Sequence, residues 1–336
     1  MSYYRNPDKR KRSLSNWPHV ITTVFVCLFC WVIAYVKSSG FPLPVNDAVI
    51  PFWGAIRKWM INKEIAYAAG LLLIALIAFI IQRINDIEML IRERTRLVFL
   101  LFLLLSSTNA SILPFNNITI VLMCFVLIIY ELFNTFQLPE SKGKLFNVGV
   151  YIGVASLFMP QTLWCIPLLW LGMYQLFSLN YRSFMISLLG ILTIYWIVFT
   201  WCVWKHDFTL FTMLFKSLTD FQLFSVFRSL RFSNIGYAMV AVMVIPIFLL
   251  IKMDAISNRL RVRQILSFLL NMSVWSLALT CLYGKNAELF MSLLYLPLSV
   301  LMAYFFEKVR NIFHFLLYYF ILVLNVVSFV FRIWNY

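Results

Sequence analysis

Eleven apolar runs alternate with polar connections along 336 residues, and this alternation limits the fold more than any motif does. The hydrocarbon core of a bilayer is about 30 Å thick and takes about 20 apolar residues in a helix. Backbone polar groups find no water there, so a crossing segment must be a helix or part of a closed barrel. Barrel strands alternate apolar and polar residues, whereas these runs are continuous. The expected fold is all-α: a polytopic transmembrane helical bundle of about 11 spans, forming one integral membrane domain over 1–336. The spans fall near 19–36, 66–81, 97–113, 117–136, 145–159, 161–179, 184–204, 234–251, 265–283, 288–305 and 312–331. The third is the shortest in strictly apolar residues. It must reach the far surface through Ile112 and Leu113, or stop before it.

Composition agrees with lipid as the main solvent, since 62% of the residues are apolar and 12% charged, against roughly half and a quarter in soluble domains. A net charge of +15 would point to nucleic acid in a soluble chain. Here the cations sit in short connections between spans, where they set orientation, and no nucleic-acid motif accompanies them. Eighteen of the 28 Lys and Arg fall in alternate connections, starting with Arg5, Lys9, Arg10, Lys11 and Arg12 in residues 1–18. By the positive-inside rule this basic N-terminal stretch is expected to be cytoplasmic, the C-terminus outside, and the first run a retained signal anchor. All six Cys lie in apolar runs and should behave as small hydrophobes without disulfides, the Cys27-x-x-Cys30 pair included. The three His (19, 206 and 314) are scattered and form no metal-ligand set. Nothing in the sequence names a cofactor.

Two longer polar stretches lie on the predicted outer side. In 37–64, after Pro42 and Pro44, apolar residues recur at Val49, Phe52, Trp53, Ile56, Trp59 and Met60, with Arg57, Lys58, Asn62 and Lys63 mostly opposite. That pattern describes an amphipathic helix lying in the headgroup layer. Asp47 at its start can cap the helix or act as a carboxylate facing the lipid surface. In 205–232, Thr209, Thr212, Lys216, Thr219 and Asp220 recur at helical spacing, and Lys205, His206, Asp207, Arg228 and Arg231 supply charge. These cations can meet anionic headgroups or hold a phosphate; His206 and Asp207 read either as a surface pair or as a dyad. Glu131 and Glu288 lie near span ends. No carboxylate sits at a span midplane, which argues against ion-coupled transport.

The stretch 146–199 carries Gly149, Gly153, Ala155, Ser156, Leu157, Phe158, Arg182 and Gly190 in a pattern of glycine-containing helix, tight hairpin, apolar span and basic inner turn. It resembles an uncharacterised multi-pass inner-membrane family of the Bacteroidetes, best over 97–204. Gly149, Gly153 and Ser156 share one side of a helix, where small residues let another helix approach. The wider layout is similar to GT-C lipid-linked glycosyltransferases, which place an acidic residue early in a first outer loop with interfacial helices. That resemblance implies transfer of a polyprenyl-phosphate-linked sugar to a cell-envelope glycan, with Asp47 catalytic and Arg228, Arg231, His206 and Asp207 binding substrate. The family's usual second acidic residue is missing, Glu64 being the nearest. A transporter or flippase of envelope lipids and a non-enzymatic membrane scaffold subunit are the alternatives. Membrane lipids are the expected partners in each case.

The orientation is open to direct measurement. Single cysteines introduced at Ser141 and Ser257 should be shielded from an impermeant thiol reagent in intact cells, and one at Ser217 should label. The opposite pattern reverses the topology.

Overall fold

Continuous apolar runs without β-forming alternation become helices in this chain. The computed structural model describes residues 17–37, 62–91, 95–107, 109, 112–138, 141–206, 208, 218, 259–284, 287–308 and 312–334. Among them are ten α-helices and no strand. They are α1 (Trp17–Lys37), α2 (Lys63–Glu88), α3 (Leu97–Ser107), α4 (Asn117–Phe133), α5 (Lys142–Phe158), α6 (Ile166–Gln175), α7 (Tyr181–Lys205), α8 (Leu260–Leu282), α9 (Ala287–Lys308) and α10 (Ile312–Trp334). Five of them, α1, α2, α7, α8 and α9, are long and apolar enough to cross a membrane. Helices α3, α4 and α6 are shorter for local reasons. In α3 the polar run beginning at Ser106 ends the helix after 11 residues, or about 16 Å. Asn116 and Asn134 bound α4 at 17 residues. The run expected as a sixth span opens with a 3-10 turn, Pro160–Cys165, before the ten-residue α6. Pro160 and Pro167 each remove a backbone donor there. The expected span at 234–251 lies outside the described residues.

The helix surfaces are those of a chain in lipid. Trp196 and Trp204 on α7 are 71% and 77% exposed, and Phe25, Phe29, Leu72, Phe79, Leu192 and Ile197 are also open. Continuous apolar exposure on this scale has no counterpart on a water-soluble monomer. Several apolar helices with lipid-like outer faces make this a multi-pass membrane fold.

Side-chain and backbone contacts sort the helix ends into two groups. At one end, Gln82 on α2 donates to the Thr95 carbonyl at 2.8 Å and accepts from the Phe99 N–H at 3.3 Å. Lys144 donates to the Asn134 carbonyl at 2.9 Å, and the Gln137 N–H to that of Leu176 at 3.0 Å. The Arg261 guanidinium meets both oxygens of Glu88, at 2.6 and 2.7 Å, and reaches the Phe133 carbonyl at 3.4 Å. This basic end gathers the C-terminal ends of α2, α4 and α6 and the N-terminal ends of α3, α5 and α8. At the opposite end Lys63 stands over the Tyr35 ring, 4.4 Å from its centroid, and the Phe115 N–H donates to the Ala66 carbonyl at 2.9 Å. Antiparallel pairs keep this sorting: α4 on α5 through Glu131 and Asn147, and α6 on α8 through Gln175 and Ser267.

Helix α9 is the centre. It packs on α8, α3, α4 and α2, and Phe290, Tyr295 and Phe306 are among its buried side chains. The tightest pairing is α5 with α7, which run parallel. A Cβ built on Gly149 would lie 2.1 Å from the Ser187 carbonyl oxygen, and one on Gly190 would lie 2.4 Å from that of Phe146. Backbone touches backbone, so only hydrogen fits at either position. One turn on, Ile194 packs against Gly153, and the Ser156 hydroxyl meets that of Tyr195 at 2.9 Å.

Gly149→Ala and Gly190→Ala should therefore each separate α5 from α7 and lower stability by about 1–3 kcal/mol, the usual scale of overpacking. Gly143→Ala, whose Cβ meets nothing within 4 Å, is the matched control and should be neutral or mildly stabilising. Thermal unfolding in detergent reads all three, and equal melting temperatures would refute the close contact.

Candidate functional site

Serine, asparagine and proline interrupt the apolar sequence between α3 and α4, and most of their hydrogen-bonding capacity is used at once to close the break. Ser106 and Ser107 donate to the Leu103 carbonyl at 3.0 and 2.7 Å. The Asn109 N–H donates to the Ser106 carbonyl at 3.3 Å, and the Ile112 N–H to that of Asn109 at 3.0 Å. Asn116 caps α4: its side chain accepts from the Thr119 N–H at 2.9 Å, and the Thr119 hydroxyl oxygen accepts in return from the Asn116 N–H at 3.2 Å. That reciprocal cap satisfies donors that a helix start otherwise leaves open. The turn through Leu113–Phe115 presses on α2 at Gly70, where a Cβ would sit 2.2 Å from the Leu113 carbonyl oxygen. Ile112 and Leu113 are fully buried, and they carry the chain from α3 to the level of Ala66.

Among the described residues of this break, two side chains are left over. Asn109 and Asn117 are 0% and 1% exposed, and neither the oxygen nor the nitrogen of either carboxamide has a hydrogen-bond partner. Each amide brings two donors and one acceptor oxygen. Leaving such a buried group unmet costs about 1–3 kcal/mol, so the pair calls for a bound molecule or ordered water. No charged residue lies anywhere in 106–119. Ser107 is approached from α1 by the Cys27 thiol, with which it forms a hydrogen bond. Farther down α1 toward the basic end, Thr23 meets the Tyr318 hydroxyl at 2.5 Å and the His19 Nδ1 meets that of Tyr319 at 2.6 Å. A line of polar groups thus follows the α1–α10 contact toward the break.

Of the residues singled out in the sequence, Asp47, Asp207, Arg228 and Arg231 lie outside the described residues. His206 is exposed and ends α7 in a left-handed conformation, φ 53°, its N–H donating to the Val203 carbonyl at 3.2 Å. The stretch 205–232 is met again at Phe208, whose ring lies 6.2 Å from that of Phe199, and at Leu218, whose carbonyl accepts from Tyr283 OH at 2.6 Å at the end of α8. Glu131 is half-buried and accepts from Asn147 at 3.2 Å. Glu288 opens α9, where the Ser292 hydroxyl donates to its carbonyl. The described residues hold no group of three or more His, Cys, Asp or Glu arranged for a metal.

Sequence reasoning missed two features. Glu88 falls in a connection expected to be solvated, yet its side chain is 3% exposed and held by Arg261. The signal was there: Ile81, Ile84, Asn85 and Glu88 share one helix face, so the buried stripe of α2 runs on to its end. Nothing in the sequence singles out Asn109, inside the expected third span, or Asn117, at the start of the expected fourth. The shortness of the third apolar run was the available clue to the break itself.

No family model, no curated protein and no solved structure matches the chain.

If the amides are unmet in the empty protein, Asn109→Leu and Asn117→Leu should hold or raise its thermal stability, because leucine has similar volume and nothing to desolvate. Gly70→Ala should lower stability by pushing the turn off α2. A marked loss in both asparagine variants would show that the amides already have partners.

Proposed function

We propose that this chain is a multi-pass inner-membrane glycosyltransferase that moves a sugar from a polyprenyl-phosphate donor to a cell-envelope glycan. The full topology in this reading has about eleven spans and a cytoplasmic N-terminus, with the GT-C-like layout that the first outer loop suggests. One observation supports it best: the described helix ends flanking the two long polar stretches, the C-terminal ends of α1 and α7 and the N-terminal end of α2, lie at the same end of the bundle. The stretch 37–64 leaves α1 and enters α2 where Ala34, Tyr67, Leu113 and Phe329 pack together. The stretch 205–232 leaves from the end of α7, which lies parallel to α5 and so ends at the same end of the bundle as the start of α4. Trp201, Trp204 and Lys205 surround that exit, with Lys205 5.8 Å from the Trp201 ring centroid, a composition suited to headgroup depth. Two headgroup-level stretches on one face can enclose a lipid-linked substrate between them.

The chemistry follows from the residue types. Asp47 takes the proton of the acceptor hydroxyl as its oxygen bonds to the anomeric carbon of the donor. The bond from that carbon to the phosphate oxygen breaks, and the electron pair leaves on polyprenyl phosphate. Arg228 and Arg231 hold the phosphate charge, with His206 and Asp207 nearby. The apolar outer faces of the helices leave the polyprenyl chain in lipid.

A second reading, a flippase or transporter of envelope lipids, draws on the polar line from His19 through Thr23 and Tyr318 to Cys27 and Ser107. The two readings diverge in cells. In the transferase, Asp47→Asn keeps expression and fold, because the amide can still cap a helix, while transfer falls by a factor on the order of 100. Envelope glycan profiles and lipid-linked sugars in wild-type, Asp47→Asn and null cells measure this. Accumulated donor in the outer leaflet supports transfer, and accumulation confined to the inner leaflet supports flipping. A null strain with normal glycans refutes both and leaves the scaffold.

A further inference from the structure

We infer that the connection from α7 to α8 is tethered across the end opposite the basic one by the Tyr283 hydroxyl, and that the chain then recrosses the membrane before α8 begins. This rests on the multi-pass membrane fold and not on sugar transfer. The return crossing follows from helix direction. Neighbours in sequence reverse at each link from α1 to α7 and again from α8 to α10, where successive helix ends meet in turn, as Phe99 meets Gln82 and Phe290 meets Tyr283. Helices α7 and α8 are consecutive among the described helices, yet both run away from the basic end. The first lies parallel to α5, and the second starts with Arg261 on Glu88 and ends at Tyr283. The end of α7 and the start of α8 are therefore on opposite sides of the bundle, and the chain between them has to cross it. Its long apolar run, 234–251, would span about 27 Å as a helix, close to the thickness of the hydrocarbon core.

Two described residues mark the path before that crossing. Phe208 lies against Phe199, ring centroids 6.2 Å apart, so the chain first turns back onto the end of α7. Farther on, the Leu218 carbonyl accepts from the Tyr283 hydroxyl at 2.6 Å, at the end of α8. Tyr283 is held on every side: its ring is buried beside Phe290, with centroids 5.8 Å apart, and the Trp164 side chain is hydrogen-bonded to its oxygen. The Trp164 carbonyl accepts in turn from the Trp275 indole at 3.0 Å. An indole can only donate, so the Tyr283 oxygen accepts from Trp164 and commits its own proton to Leu218. A chain of bonds from α8 through the entry to α6 thus ends on a backbone carbonyl of the connection. Arg228 and Arg231 fall between Leu218 and the run at 234–251 in the sequence. With a tether before them and a crossing after them, both cations stay on the side where α7 ends, at a depth where a lipid-borne phosphate is met.

Limited trypsin digestion of the full-length protein in sealed, oriented proteoliposomes tests both parts. Lys216 lies beside the tether, and Arg259 is exposed at the start of α8. Trypsin on one face should cut after Lys216 and trypsin on the other after Arg259; cutting at both from one face overturns the crossing. For the tether, Tyr283→Phe removes the hydroxyl and keeps the ring on Phe290. Cleavage after Lys216 should quicken about fivefold, as one lost hydrogen bond predicts when cleavage follows the population of the opened state. Cleavage after Arg259 and the thermal unfolding midpoint should hold. Trp164→Phe, which takes away the bond to the Tyr283 oxygen, should change cleavage after Lys216 in the same direction. No change there in either variant overturns the tether. Equal quickening at both sites with a lowered midpoint overturns it as well, because Tyr283 would then serve only general packing. No readout depends on turnover, so a normal Asp47→Asn phenotype would defeat the transferase reading without touching this one.

Discussion

The bond from the Phe115 N–H to the Ala66 carbonyl answers the constraint that the whole fold is built around: in hydrocarbon, an open backbone group has no water to turn to. A break in a helix is tolerable only if the protein closes it. Here the neighbouring helix supplies an acceptor, Gly70 supplies the room for the turn to reach it, and Asn116 with Thr119 caps the next helix. These devices turn a stretch that is too short and too polar for a helical span into ordered structure within the bundle. They also make the two unmet carboxamides stand out among the described polar groups of the break.

The same economy governs charge. Glu88 is nearly inaccessible, and a lone carboxylate there would be strongly disfavoured. Arg261 neutralises it from α8, extends to the last carbonyl of α4, and lies 5.5 Å from the centroid of the Phe136 ring. One guanidinium thus ties together the ends of three helices, and its partly exposed position keeps the cost of its own desolvation moderate. A lysine could not span carboxylate, carbonyl and ring in the same way, because it lacks the planar fork. The basic end is fastened by this pair and by side chain to backbone bonds. The opposite end relies on aromatic and small-residue packing around Tyr67, Leu113 and Phe329.

Parallel helices α5 and α7 add a third kind of restraint. Because Gly149 and Gly190 bring the two backbones into contact, α7 is fixed in register while most of its surface remains open. An edge helix held along a narrow line can present a broad aromatic face to lipid, with Trp196, Trp204 and Phe199 all exposed. The α7 exit therefore has a defined position at the end where the long polar stretches depart.

The all-helical, multi-pass character of the chain was legible in its residues, because it follows from local physics: long apolar runs, absence of strand alternation, and the cost of unmet backbone groups in lipid. So were the small residues of α5 as a surface for a neighbouring helix. Helix lengths were less legible. Continuous hydropathy cannot register a 3-10 start at Pro160 or a helix that stops at Ser107, and five described helices, where about eleven spans were expected, reach spanning length and hydropathy. What tertiary structure alone decided is which polar groups find partners. Glu88 and Arg261 are 173 residues apart, and Phe115 reaches back 49 positions to Ala66, separations over which no sequence pattern carries a signal. Burial without a partner, as at Asn109 and Asn117, is a property of the packed surroundings, and one sequence holds no record of it.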